Sequence, residues 1–300
     1  MELIPPDTKI NFMGNRYYAY LFSAILAVIS IAAIVVKGHI HLGIDFSGGT
    51  MVQVKFTKPV STDEVRDSLK PLGENLMVQK LSGAEEYIVR LEASEETAAT
   101  ITQQVKELLE KKSGKDTVEI RSTEMVGPKV GKNLREHAIW ATVIALVLLL
   151  IYMAFRFTFT MGLGAIACLV HDLLILYGFF VITGKEFNLT ILAAWLTVVG
   201  YDVNDTIVVC DRVRDNLKIM KRSPLADIFN ISINQTLSRT VLTSGFTLLS
   251  VLALLFLGTH VLQDFAWSLV VGIVFGTYSS IFVASPLVLE LDRILPVKRG

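Results

Sequence analysis

The fold of this chain is decided by a polar stretch inside an apolar run, Gly200-Tyr201-Asp202-Val203-Asn204-Asp205-Thr206-Ile207-Val208-Val209. The run, from about 189 to 210, is long enough to cross a bilayer as a helix. Asp202 and Asp205 are three residues apart and share one helix face, whereas Asn204 lies to the side. A charged Asp at the centre of a spanning helix costs roughly 2.5–3.5 kcal/mol on insertion scales. Such residues indicate an ion or proton path, or a polar lock between helices.

The composition is typical of a membrane protein. Of the 300 residues, 52% are hydrophobic, and they are bunched into long runs. Lys plus Arg and Asp plus Glu both number 28, so the net charge does not point to a nucleic-acid partner, and we expect none. Cys168 and Cys210 both fall in apolar runs, which excludes a disulfide framework and a cysteine zinc site. Phosphate-loop, dinucleotide and His-Glu-x-x-His motifs are absent, so we expect no metal, no cofactor and no catalytic residue.

Six apolar runs predict an α-helical polytopic membrane protein. They lie at about 18–36, 138–155, 161–182, 189–210, 240–257 and 265–289. The first is too long for a signal-peptide core, so we interpret residues 1–37 as a short N-terminus and an uncleaved anchor. Residues 138–300 hold the other five helices, with short connectors apart from a longer basic one at 211–239.

A polar insert of about 38–137 separates the first two runs. Its patterns predict strands at 50–57, 75–81, 86–91 and 117–125, and helices at 61–70 and 95–112. A capping box from Ser61 to Glu64 opens the first of these helices. The order β-α-β-β-α-β is that of an α+β, ferredoxin-like domain.

The basic residues predict the orientation in the membrane. Lys and Arg in short loops mark the cytoplasmic side. Six alternating helices bring the basic positions to one side: Lys9, Arg16, Arg156, the 211–239 loop, Arg293, Lys298 and Arg299. We therefore expect both termini in the cytoplasm and the insert outside it, because long domains cross a membrane regardless of charge.

Other polar residues lie within the predicted spans. His171 and Asp172 occupy the middle of the third span, and neighbouring helical residues point about 100° apart, so we do not expect the two to face each other. We favour a hydrogen-bonded lock between helices for this pair over a catalytic role. Gly272 and Gly276 form a small-xxx-small face in the sixth span, which we interpret as ordinary helix packing.

Arg239 lies where the fifth span is expected to open. Asp205 is about 9 Å inside the cytoplasmic edge of its helix. If the fifth helix starts near Ile231, Arg239 lies at a similar depth, and an Asp205–Arg239 pair becomes feasible across adjacent spans. The alternative is an arginine that snorkels to the interface. For Asp205 we favour function over a lock, whereas Asp202 could simply reach polar surroundings beside Tyr201.

Motifs along nearly the whole chain match one family in order and spacing. They are Gly43-Ile44-Asp45-Phe46-Ser47-Gly48-Gly49-Thr50, Val126-Gly127-Pro128, His171-Asp172, the 200–212 stretch and the 235–245 stretch. The chain thereby resembles the SecD/SecF family, and Asp-Phe-Ser-Gly-Gly is typical of its SecF branch. Asp202 departs from the pattern, because the family usually has a small polar residue there. Whether Asp202 shares a proton with Asp205 or only modulates it stays open.

The resemblance implies a transport subunit rather than an enzyme. It implies half of a transporter of the resistance-nodulation-division superfamily, in which two six-helix halves meet, embedded in lipid of the bacterial inner membrane. The implied partners are SecD, the SecYEG translocation channel and a translocating preprotein. The implied role is to use the proton-motive force in late steps of Sec-dependent translocation, with protons as the coupling ion.

The resemblance also implies roles for individual residues. The proton-path residues carried over from the family are Asp205 and Arg239. The residues themselves, rather than the resemblance, leave open whether Asp202, Asn204, His171 and Asp172 belong to this path or lock helices together. The signature at the junction of the first span and the insert is Asp45, Gly48 and Gly49, where a backbone turn would need glycine.

Three other functions stay open. The first is a stand-alone proton-driven exporter of small molecules or lipids, although one half with a modest insert offers no evident substrate pocket. The second is an intramembrane aspartyl protease in which Asp172 partners Asp202, although the Gly-x-Gly-Asp element of such enzymes is absent. The third is a scaffold whose buried polar groups only hold helices together.

Overall fold

The structure is a computed structural model that describes residues 4–5, 8–73, 76–81, 85–92, 97–114, 116–258 and 260–294. The helices are α1 (Arg16–Lys37), α2 (Ile44–Ser47), α3 (Thr62–Leu69), α4 (Ala98–Ser113), α5 (Pro128–Arg156), α6 (Phe159–Thr183), α7 (Leu189–Ile219), α8 (Leu225–Leu257), α9 (His260–Ser279) and α10 (Ser285–Leu291). The strands are β1 (His41–Leu42), β2 (Gly49–Phe56), β3 (Met77–Lys80), β4 (Glu86–Leu91), β5 (Val118–Val126) and β6 (Glu186–Phe187). A π-helical turn, Ser280–Ala284, joins α9 to α10.

The chain divides into two compact units. One is Leu42–Trp140, and the other combines Met1–His41 with Ala141–Gly300. The predicted limits of the insert, 38 and 137, lie within four residues of these boundaries.

The smaller unit is a four-stranded antiparallel sheet with two helices. The strand order is β3-β4-β2-β5, and β2 pairs with both β4 and β5. Alternate residues of β2 point into the core, where Val52, Val54 and Phe56 are buried. Helices α3 and α4 cover that face with Val65 and Leu109. The element order and strand order are those of a ferredoxin-like domain, which confirms the predicted fold.

The predicted start of helix α3 is confirmed in this unit. Ser61 and Glu64 form the predicted capping box, with the Glu64 amide donating to Ser61 Oγ at 3.2 Å and the Ser61 amide donating to Glu64 Oε2 at 3.0 Å. The predicted ends of two elements, Asn75 and Glu95, lie outside the described residues.

The Gly48-Gly49 pair makes the backbone turn that leads into β2. Both residues have positive φ, +73° and +130°, a region that residues with a Cβ rarely adopt. A Cβ at Gly49 would also meet the carbonyl oxygen of Leu91 at 2.5 Å. Asp45 lies in the first turn of α2, just before this turn.

The larger unit contains helices that are long and apolar enough to cross a membrane. Among the described residues there are six such segments, which confirms the predicted number: α1, α5, α6, α7, α8 and the run Leu262–Leu291. Two apolar clusters form the core, one around Phe180 and Trp195 and the other around Met161 and Phe229. On α7, Asp202 lies where the residues of the first cluster, which end with Val198 and the adjoining Tyr201, give way to those of the second, which begin at Val203, and Asp205 follows two residues later.

The predicted connector at 211–239 is wrong for most of its length. Helix α7 continues to Ile219 and α8 already begins at Leu225, so 220–224 is the only non-helical part. The many charged residues of this region occupy the exposed helix faces, and in the sequence they obscure the apolar residues of the inner faces. Val213 and Ile233 are two such apolar residues, and both are buried. The side chain of Asn216 on α7 joins the two helices, because its Nδ2 donates to Ser232 Oγ at 2.8 Å and to Gln235 Oε1 at 2.9 Å on α8.

An N-terminal segment, residues 8–15, is fixed against α8. The amide of Ile10 donates to Asn234 Oδ1 at 3.1 Å, and Asn234 Nδ2 donates back to the Ile10 carbonyl at 2.9 Å. The amide of Met13 donates to Asn230 Oδ1 at 2.9 Å. Phe12 and Met13 are buried in one of the two apolar clusters.

Candidate functional site

Asp205 is held by a hydroxyl group that joins three helices. The carboxylate of Asp205 is 2% exposed and accepts a hydrogen bond from Ser244 of α8, Oγ to Oδ2 3.3 Å. Ser244 Oγ in turn accepts from Tyr201 of α7 at 3.3 Å and from Thr277 of α9 at 2.8 Å. A hydroxyl has one hydrogen to donate and two lone pairs to accept, so all the hydrogen-bonding capacity of Ser244 is occupied when Asp205 is ionised. The protonation state of Asp205 is therefore linked to the hydrogen bonds that connect α7, α8 and α9.

Asp202 lies one turn away on α7 and is buried against a glycine. Its side chain is seated on Gly276 of α9, where an added Cβ would overlap the carboxylate. Neither carboxylate oxygen has a hydrogen-bond partner in the part of the chain that the structure describes. The expectation that Asp202 reaches polar surroundings beside Tyr201 is therefore wrong, because the Tyr201 hydroxyl points to Ser244. The Gly272–Gly276 face does pack helices, and one of its glycines also accommodates a carboxyl group.

Asp172 joins α6 to α9. It is 3% exposed and accepts from Ser279, Oγ to Oδ2 2.5 Å, while Cys168 Sγ lies 3.7 Å from the same oxygen. His171 Nδ1 lies 2.8 Å from Asp172 Oδ1, so the expectation that the neighbouring side chains do not face each other is wrong. Their Cα–Cβ bonds do diverge, but the imidazole is long enough to reach back to the carboxylate. Asp172 therefore has the contacts of a lock between helices.

The site residues predicted from the sequence do not all lie together. Asp202 and Asp205 lie three residues apart on α7, and the α9 residues that contact Asp202 and Asp172, Gly276 and Ser279, are also three apart, so the three carboxyl groups form one buried cluster. Asn204 lies on the exposed face of α7, apart from the cluster. Across the described residues, no three His, Cys, Asp or Glu side chains are arranged to hold a metal ion.

Arg239 does not form the expected ion pair with Asp205. It is exposed on α8, and its interaction with Asp205 is only a longer-range electrostatic one. The reason is the rotation of α8, which turns Ser244 rather than Arg239 toward Asp205. Ser244 is the α8 residue level with Asp205. Arg239 precedes Ser244 by five residues, which is about 7.5 Å along the helix and about 140° around it.

The hydroxyl partners of the carboxyl groups were missed from the sequence. Ser244 lies within the 235–245 stretch, but no sequence pattern there assigns it a role. The same holds for Thr277 and Ser279 in the sixth span. Small hydroxyl residues are common in membrane helices as ordinary packing. Only the positions of α8 and α9 around α7 show which of them meet a carboxyl group.

Comparisons with known proteins agree on one family. The family model described as "Protein export membrane protein SecD/SecF, C-terminal" matches residues 104–293, and that described as "SecD/SecF GG Motif" matches residues 33–60. Protein translocase subunit SecF from Magnetococcus marinus is 45% identical over 296 residues, covering 97% of this chain and 95% of that protein. The protein of the same name from Haemophilus influenzae is 43% identical over 298 residues, covering 98% of this chain and 90% of its own length.

A solved structure has the same fold. The crystal structure of SecDF, described as a translocon-associated membrane protein, from Thermus thermophilus matches with a TM-score of 0.86 and 38% identity. The match covers 98% of this chain but only 40% of that solved chain. A second structure, of SecDF in a super-membrane-facing form, matches with a TM-score of 0.70.

Proposed function

Because this multi-pass membrane protein belongs to the SecD/SecF family of protein-export membrane proteins and has a role in protein translocation, we propose that it uses the proton-motive force to promote late steps of export. Its partner in export is a SecD subunit. The solved SecDF structure supports that partner, because the present protein matches 40% of the SecDF chain. The pair acts beside the SecYEG channel on a translocating preprotein, in the bacterial inner membrane. The protein is a transport subunit rather than an enzyme.

The observation that carries this proposal is the environment of Asp205. Its buried carboxylate lies in a membrane helix and touches a hydroxyl that is shared by two neighbouring helices. Ionisable residues inside membranes are a mark of ion and proton paths. A bound proton is thus the coupling ion, and no cofactor is required.

The hydrogen bonds suggest how a proton moves helices. An ionised Asp205 accepts from Ser244. A protonated Asp205 can donate to Ser244, which must then turn its own hydrogen toward Tyr201 or Thr277. Each protonation reverses the Asp205–Ser244 hydrogen bond and one of the two bonds that Ser244 makes to Tyr201 and Thr277, and this favours a different packing of α7, α8 and α9. The movement reaches the smaller unit along the chain, by way of the Gly48-Gly49 turn.

Arg239 completes the proton path in this proposal. Its guanidinium already interacts with Asp205 at longer range, and an opposite charge favours the ionised form of a carboxyl group. A movement of α8 that brings it closer would promote proton release. One elementary charge that crosses the membrane yields about 2.3 kcal/mol per 100 mV, so several protons are used for each exported stretch.

The variant Asp205→Asn tests the proposal. It keeps the size of the side chain but cannot ionise, so we expect it to insert, to assemble with SecD and to lose the part of export that depends on the proton gradient. The measurement is secretion of a reporter protein with and without a protonophore. Asp215→Asn is the matched control, because Asp215 lies on the same helix with a 56% exposed side chain and pairs with Lys218.

Three results would contradict the proposal. Export that keeps its full sensitivity to the gradient in well-folded Asp205→Asn would exclude Asp205 as the coupling site. A variant that fails to fold or assemble would instead favour the scaffold function. Altered sensitivity to drugs with normal secretion would favour a small-molecule exporter.

A further inference from the structure

Two carboxyl groups other than Asp205 lie along one face of α9. Gly276 and Ser279 are three residues apart and so share a helix face. Asp202 of α7 is seated on Gly276, and Asp172 of α6 is hydrogen-bonded to Ser279. Their two contact points on α9 are therefore about one helical turn, or roughly 5 Å, apart.

Asp202 has nothing around it that would stabilise a negative charge. It is 2% exposed, and neither of its oxygens has a hydrogen-bond partner among the described residues. The charged groups that act on it are carboxyls, Asp172 of α6 and Asp205 of α7. His171 of α6 is bonded to Asp172, and Arg239 of α8 acts on Asp205. A buried ion without a partner costs several kcal/mol, so Asp202 is neutral and carries a proton.

The contacts of Ser279 give Asp172 a place for a proton as well. Ser279 Oγ lies 2.5 Å from Asp172 Oδ2 and 3.0 Å from the Gly276 carbonyl oxygen. A hydroxyl has only one hydrogen to donate. Ser279 therefore donates to Asp172 when Asp172 is ionised, whereas a protonated Asp172 can donate to Ser279 while Ser279 donates to the Gly276 carbonyl.

We propose that Asp202 is a proton-relay residue between Asp172 and Asp205, an inference that rests on Asp205 being the residue that cycles in the proposed function. In the transfer, an O–H bond at Asp202 breaks as one forms at Asp205. One proton moves, the charge of the pair stays at minus one, and nothing is oxidised or reduced. In a second step an O–H bond at Asp172 breaks as one forms at Asp202, which leaves Asp172 ionised with Ser279 and His171 as its partners. Residues three apart on a helix have Cβ atoms about 5–6 Å apart, a gap that the two carboxyl groups or one bridging water can span.

The order of activity among variants at position 202 tests the relay. Asp202→Asn keeps the shape of the side chain but cannot pass on a proton. The serine of Asp202→Ser is much smaller, but its hydroxyl and a water in the vacated space can pass a proton on. In proteoliposomes that hold the full chain with its SecD partner, we expect Asp202→Ser to keep most of the proton flux. Asp202→Asn should slow it about 100-fold, the lower end of what a positioned proton-transfer group contributes.

A packing role predicts the reverse order, because Asn fills the space on Gly276 and Ser leaves a cavity. Proton flux that is faster in Asp202→Asn than in Asp202→Ser would therefore overturn the relay. Infrared difference spectra provide a second measurement, in which Asp202→Asn should remove one protonated-carboxyl band. Spectra identical to those of the wild type would also overturn it. If Asp205→Asn abolishes gradient-dependent export in the same preparations, either result refutes the relay alone and leaves the proposed function intact.

Discussion

Asp202 and Asp205 lie one turn apart on α7, yet their carboxyl groups differ in every contact. Asp205 meets the Ser244 hydroxyl, whereas Asp202 meets the backbone of Gly276. The difference arises from α8 and α9, which present a hydroxyl at one level and a glycine at the next. A carboxyl group with a rearrangeable hydrogen bond can signal its protonation to other helices, and one without it can only hold or pass on a proton.

Removal of the Ser244 hydroxyl tests this link at a single residue. In Ser244→Ala, the hydroxyls of Tyr201 and Thr277 lose their acceptor and Asp205 loses its donor. We expect the free energy of unfolding to fall by about 1–3 kcal/mol, with weaker gradient-dependent export. Thermal unfolding in lipid nanodiscs and secretion of a reporter measure the two effects. Ser250→Ala is the control, since Ser250 is exposed and bonds only the Phe246 carbonyl of its own helix; equal losses in both variants would contradict the assigned role.

At the scale of helices, α7 and α9 approach closely because two glycines of α9 accommodate side chains of α7. Val198 lies on Gly272, and Asp202 lies on Gly276. A Cβ at either position would overlap the side chain above it. This contact sets the distance between the helix that carries Asp205 and the helix that carries Thr277.

Gly276→Ala should push the two helices apart. We expect a loss of about 1–3 kcal/mol in the free energy of unfolding, as for other overpacked cores. The nearest atoms to the new methyl group all belong to Asp202, so the double variant with Asp202→Ser should recover most of the loss. Gly245→Ala on α8 is the control, because a Cβ there meets nothing within 4 Å. Unfolding is measured for the wild type, the two single variants, the double variant and the Gly245→Ala control, and additive losses in the double variant would disagree with this geometry.

Local patterns predicted the elements well, and contacts between elements less well. The Ser61 capping box and the alternation in β2 need only neighbouring residues, so both were predictable. The face of α8 on which Arg239 lies depends on which residues of that helix turn toward α7, and the depth of Arg239 along the helix does not determine this. The carboxyl–hydroxyl contacts depend on how three helices pack, which the spacing along one helix does not determine.

At the scale of the whole molecule, the orientation of the helices can be tested with single cysteines. The two natural cysteines, Cys168 and Cys210, are buried, so an impermeant maleimide should leave them unlabelled. Asp63 has an 86% exposed side chain in the smaller unit, and Arg222 is exposed between α7 and α8. We expect Asp63→Cys to react in intact spheroplasts and Arg222→Cys to react only after permeabilisation, because the basic 211–239 region marks the cytoplasmic side. The opposite pattern would reverse the topology and exclude an export role for the smaller unit.

The attachment of the N-terminal segment has a consequence for the order in which the protein is made. Ile10 and Met13 are fixed by Asn234 and Asn230, which follow them by 224 and 217 residues along the chain. The ribosome must therefore complete α1, α5, α6 and α7 before the asparagines on α8 exist. Residues 8–15 leave the ribosome early yet reach their final place late, and they must wait beside the membrane while four hydrophobic helices insert.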